Sequence, residues 1–128
     1  MSVVEPIDER RSALRVEVAL RARLHEVPEP GAWPGEQEWT EPLYGRVLNI
    51  SRTGLLFRSA VPVCPGRRVV VVLRCREGHL PVHGRVVRVA RGRGGRHHIG
   101  IALEALPQAA RRVIARLVES HRVQPELN

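Results

Sequence analysis

The chain has 128 residues, 43% of them apolar, and a formal net charge of +8. That length suffices for one domain whose core needs neither disulfides nor a metal, and no apolar run approaches the roughly 20 residues of a membrane span. All 21 basic residues are arginine, so an anionic partner meets planar guanidinium forks rather than compact ammonium charges. Asp8 is the single aspartate, which argues against a carboxylate-rich magnesium site.

Residues 1–9 hold Pro6 and three acidic residues with no apolar period and are expected to form a flexible N-terminal segment. The stretch Met1–Pro6 lacks a basic region followed by an apolar one, so no signal peptide is expected. Cys64 and Cys75 are too far apart for a Cys-x-x-Cys pair and are expected to be reduced in a cytoplasmic protein. From Leu14 to Leu24 apolar and polar residues alternate strictly, which predicts a half-buried strand.

Residues 26–42 change character, with four prolines, two glycines, five glutamates and no basic residue. They read as an acidic, proline-rich loop insertion, a length that is usually functional or disordered. Trp33 and Trp39 either fix this loop to the rest of the domain or make it a partner surface or acidic lid. Leu43–Ile50 then reads as a strand, Asn49–Gly54 as a polar-lined turn in which Gly54 can take a positive φ, and Leu55–Val61 as the next strand. Arg68–Arg76 is a buried strand around four consecutive valines, Val69–Val72. Pro81–Arg91 is a long strand in which Val86-Val87 shift the alternation as a β-bulge does. Gly92–Gly95 makes a glycine-rich hairpin, and Arg96–Leu103 is the last strand. After Pro107, Leu106, Ala110, Val113, Ile114, Leu117, Val118 and His121 form one helical stripe. Six short strands and one helix predict an all-β class: an antiparallel six-stranded barrel closed by a C-terminal helix.

No nucleophile–base pair stands out, so the chain is not expected to be an enzyme. His79 and His83, and the adjacent His97 and His98, have the donors of a zinc site but read as ordinary strand histidines, and no metal is expected. Arg10, Arg11 and Arg15 differ in kind. Arg11 and Arg15 lie four apart where the chain enters the first strand, and arginine binds both phosphate and the guanine O6/N7 edge through paired hydrogen bonds.

The Arg-x-x-x-Arg pair Arg11/Arg15, followed across a strand and a loop by Asn-x-Ser-x-x-Gly at Asn49/Ser51/Gly54, resembles the PilZ domain, a family of bacterial receptors for the second messenger cyclic di-GMP. The resemblance extends over residues 8–122, including the Ile-Gly-Ile-Ala-Leu strand at Ile99–Leu103 and the closing helix. It implies a PilZ domain over residues 10–122, with 123–128 as a tail. By matching position, Arg11 and Arg15 grip the phosphates and guanines, Asn49 and Ser51 hydrogen-bond the guanine edge, and Gly54 lets the turn sit beneath the ligand. Arg10, just before the first motif arginine, points to an intercalated ligand dimer. From the alternation, Gly100 leaves room beside the base. No other cofactor is implied.

The resemblance further implies a stand-alone, non-catalytic receptor, monomeric or weakly dimeric. Ligand would order its arginine segment and so alter the surface offered to a downstream protein, with motility, biofilm or secretion as outputs. One alternative is a PilZ-like adaptor that binds no nucleotide and docks in a motility or secretion apparatus. The other is a single-stranded nucleic-acid barrel, which the scarcity of stacking aromatics (one Phe, one Tyr, two Trp) disfavours; no DNA or RNA partner is expected.

Overall fold

Strands with one apolar face must cover that face, and six of them here do so by closing on one another. A computed structural model describes residues 15–27 and 41–126, with side chains as far as Ser120. The strands are β1 (Val16–Glu26), β2 (Leu43–Ile50), β3 (Gly54–Ser59), β4 (Arg68–Cys75), β5 (Gly78–Arg91) and β6 (His97–Leu103), followed by helix α1 (Gln108–Glu126). They form a closed antiparallel barrel in the order β1-β2-β3-β6-β5-β4.

Leu24, Val47, Phe57, Val71, Leu73, Val82 and Ile99 fill the interior with no exposed surface. Burying each contributes about 1.5–3 kcal/mol relative to solvent. Ala110 and Ile114 of α1 belong to the same cluster, so the helix stripe continues the barrel core. Leu117 is buried and Leu106 and Val118 are half-buried, as the stripe predicts; the His121 side chain lies outside the described residues.

Several boundaries differ from the sequence reading, each for a local reason. β3 stops at Ser59 rather than Val61, because the Ser59 hydroxyl donates to the Val61 carbonyl at 2.9 Å and accepts from its N–H at 3.0 Å, folding the chain into a turn. β5 begins at Gly78, not Pro81: Cys75 pairs with Gly78 across a two-residue turn, and Pro81 sits within the strand opposite Val72. Gly78 takes a φ of 117° at that turn, a conformation open to glycine. The helix backbone runs to Glu126, four residues past the expected domain boundary at 122. Among the described residues no helix is long and apolar enough to cross a membrane. Residues 1–9, Arg10, Arg11 and most of the acidic loop lie outside the described residues.

Candidate functional site

Two bulges decide which polar side chains reach the outer face of the barrel. Along β2 and β3 the register passes from Val47 opposite Phe57 to Asn49 opposite Leu56, leaving Leu48 as an extra residue. Val47 points into the core, so unbroken alternation would put Asn49 inside as well. The extra residue instead turns Asn49 outward and keeps Ile50, fully buried, on the core side. On β5 the register passes from Val86 opposite Ile101 to Arg88 opposite Gly100, leaving Val87 unpaired and 59% exposed. That bulge, anticipated from the paired valines, swings Arg88 outward and places Val89 beside Ile99.

Both bulges serve one cross-strand row. Glu17 of β1 lies opposite Asn49, Asn49 opposite Leu56, Leu56 opposite Gly100, and Gly100 opposite Arg88. The row runs across five neighbouring strands, with the amide of Asn49 near one end and a guanidinium at the other. Gly100 is buried beneath Arg88: a Cβ added there would stand 3.6 Å from both Cβ and Nε of Arg88, an ordinary contact. The space that alternation assigned to Gly100 therefore lies against the Arg88 side chain.

The turn beneath this row is held by Ser51. Its Oγ accepts the N–H groups of Thr53 and Gly54, both at 3.2 Å, while the Ser51 N–H donates to the Gly54 carbonyl at 2.9 Å. Ser51 is only 3% exposed, so its hydroxyl organises the turn from within. Gly54 departs from expectation, since it is not among the glycines with positive φ. Its requirement is close approach: a Cβ would come within 2.9 Å of the Ile101 carbonyl oxygen.

Arg15 is exposed and immediately precedes Val16, whose partner is Ile50, so it enters the barrel at the same end as the turn. Arg52, in the turn, is likewise exposed. The Thr53 carbonyl accepts the Leu103 N–H at 2.9 Å, tying the turn to the end of β6. Arg52, Leu103, Leu106, Arg111 and Ile114 then line a groove of about 320 Å³ between the turn and α1. The structure thus brings Asn49 and Gly100 onto one row, sets Ser51 and Gly54 as the support below, and puts Arg15 at the same rim. Arg10 and Arg11 lie outside the described residues. Glu17, Leu56 and Arg88 belong to neither motif. The paired valines were the visible signal for Arg88; nothing in Leu43–Ile50 marks the Leu48 bulge.

A family model described as the PilZ domain matches residues 9–120. No curated protein matches the chain. Among solved structures, the chain is similar to the inhibitor of motility of Bacillus subtilis (TM-score 0.69, 14% identity), covering 90% of this chain and 52% of that one. It spans about half the length of that protein. It is also similar to the PilZ domain of YcgR from Escherichia coli, solved with c-di-GMP (TM-score 0.66, 10% identity, 91% of this chain and 94% of that one). A third is a tetrameric PilZ protein of Xanthomonas campestris assembled through a helical bundle (TM-score 0.65, 14% identity, all of both chains). At such identities the structural likeness speaks for the fold, while the family model spans nearly the whole sequence. Taken with the six-stranded barrel and its closing helix, that match places the chain in the PilZ domain family.

Proposed function

We propose that this PilZ domain is a non-catalytic receptor for cyclic di-GMP. The observation that carries the reading is the outward row of Asn49, Leu56, Gly100 and Arg88, set directly above the turn that Ser51 holds. Leu56, with the Arg88 side chain lying over Gly100 beside it, forms a floor on which a planar base can lie. Asn49 beside it carries both a donor and an acceptor for a guanine edge. Arg11 and Arg15, from the entry to β1, supply paired hydrogen bonds to the phosphates and the guanine O6/N7 edge. Membership of the PilZ family, and the likeness to a YcgR domain solved with c-di-GMP, support the same ligand.

With ligand in place, the arginine-bearing entry to β1 and the outer face of β2, β3 and β6 form a composite surface, and a downstream protein reads that change. The likeness to a Bacillus subtilis inhibitor of motility supports motility as an output. Arg10 extends the guanidinium set and favours an intercalated pair of ligand molecules.

Titration calorimetry tests this directly. The ligand-free protein is expected to bind cyclic di-GMP at micromolar affinity or tighter. Arg11→Ala and Arg15→Ala are expected to abolish the heat, and Asn49→Ala to weaken binding by roughly tenfold or more, the worth of one good bidentate base contact. A stoichiometry near two ligands per protomer is expected from Arg10, and a value near one would remove the dimer. Absence of heat with ligand-free wild-type protein would overturn the receptor reading and favour an adaptor that docks without nucleotide.

A further inference from the structure

One cross-strand row further along the barrel, the outer face carries a different set of side chains. Arg21 on β1 lies opposite Arg46 on β2, Arg46 lies opposite Arg58 on β3, and Arg58 lies opposite His98 on β6. On the other side of β1 the ladder to β4 ends at Ala22 and Leu73. Where the two strands part, Arg21, Arg74 and Arg76 line a cleft of about 460 Å³. Four arginines and a histidine therefore follow one another around five consecutive strands of the closed barrel, β4-β1-β2-β3-β6.

Like charges directly opposite one another in a sheet repel, and nothing within the described residues relieves that repulsion. Glu26, Glu77 and Glu104 pair with Arg67, Arg116, Arg68 and Arg85, which lie elsewhere. Among the described residues, no ion pair or hydrogen bond engages the side chains of Arg21, Arg46, Arg58 or Arg74. With no carboxylate of the described residues paired to them, these four adjacent guanidiniums are poised to take an anion.

We propose that this arginine belt is a docking surface for a flexible, acidic peptide segment of a partner protein. The proposal goes beyond nucleotide binding and does not depend on it. Geometry selects a flexible chain. The belt curves around most of the barrel, so a flat surface touches only part of it, whereas a linear polymer can follow it. From Arg21 to His98 the backbone spans about 15 Å, three inter-strand spacings of roughly 4.8 Å, which an extended peptide of about five residues covers. Aromatic content selects peptide over single-stranded nucleic acid, which uses stacking platforms beside its basic groove. Of the described aromatics, Phe57 is fully buried and only Tyr44, 73% exposed, reaches the surface. Guanidinium forks then meet glutamate and aspartate carboxylates in paired, charge-assisted hydrogen bonds.

The test uses the full chain and a fluorescein-labelled polyglutamate peptide of about ten residues, read by anisotropy at low salt. Wild type is expected to bind it, and the double variant Arg21→Glu/Arg58→Glu to bind at least about tenfold more weakly. Arg91→Glu/Arg93→Glu, exposed positions off the belt with the same change of charge, is expected to bind within about twofold of wild type. Far-UV circular dichroism checks that both variants fold. Equal losses in the two variants would reduce the effect to net charge and overturn the proposal. So would tighter, Arg21- and Arg58-dependent binding of an oligothymidylate of similar length or of phosphatidylserine vesicles, each of which would hand the belt to that other partner.

Discussion

Asn49 and Ser51 stand two residues apart in one motif and work in opposite directions. Asn49 faces the outer surface, whereas the Ser51 hydroxyl is turned inward and accepts the N–H groups of Thr53 and Gly54. Ser51→Ala leaves those donors short of a partner inside a turn that is only 3% exposed at this position, and is expected to cost about 1–3 kcal/mol in urea unfolding. Asn49→Ala removes no side-chain hydrogen bond among the described residues and is expected to stay within about 0.5 kcal/mol of wild type, while still weakening cyclic di-GMP binding. The two glycines divide in the same way. Gly54→Ala drives a methyl toward the Ile101 carbonyl oxygen, 2.9 Å away. That oxygen belongs to the backbone of a paired strand and cannot easily retreat, so a loss of about 1–3 kcal/mol is expected. Gly100→Ala meets only Arg88 at 3.6 Å and is expected to leave the melting temperature nearly unchanged. If Gly54→Ala melts like wild type, close approach is not why glycine stands there.

At the scale of elements, the sequence made the strands legible because alternation is a direct consequence of a half-buried sheet. β2 starts and ends where Leu43 and Ile50 predicted, and the Val86-Val87 doublet exposed its bulge. The Leu48 bulge stayed hidden, since Val47-Leu48 reads as ordinary apolar sequence and only the pairing with Phe57 and Leu56 shows that one residue is extra. The arginine motif and the Asn-x-Ser-x-x-Gly motif were visible as residues, yet Leu56 and Arg88 joined the site only through register between strands remote in sequence. The contact between the β4–β5 turn and α1 was also out of reach. There Arg116 donates to both carboxylate oxygens of Glu77, at 2.7 and 2.8 Å, a pair 39 residues apart. Desolvation works against ionising Glu77, but its backbone hydrogen bond and Arg116 outweigh it and hold the carboxyl below its ordinary 4.5. A depressed carboxyl stabilises the fold above its unfolded value and loses that contribution as pH falls through the lower folded value. Glu77→Gln is therefore expected to melt slightly below wild type at neutral pH, with the difference closing below about pH 4.5. Solvent screening keeps it small, since both side chains are more than a third exposed.

For the molecule as a whole, the decisive fact is that barrel and helix share one core. Ile114 has no exposed surface and clusters with barrel residues that include Phe57 and Ile99. The same side chain lines the groove between α1 and the Arg52 turn, so the helix closes the barrel and also stands beside the element that supports the candidate site. An appended helix would melt alone and leave the barrel intact, whereas a helix that completes the core must come apart with it. Ile114→Ala distinguishes these. Removing a fully buried isoleucine is expected to cost about 2–5 kcal/mol, depending on how far the cavity collapses. If the core is shared, that loss appears in hydrogen exchange as a parallel fall in protection for α1 amides and for barrel amides such as those of Ile99 and Ile101. Protection lost from α1 alone, with Ile99 and Ile101 unchanged, would mean that the barrel is stable by itself. The helix would then be an appendage to a barrel that does not need it.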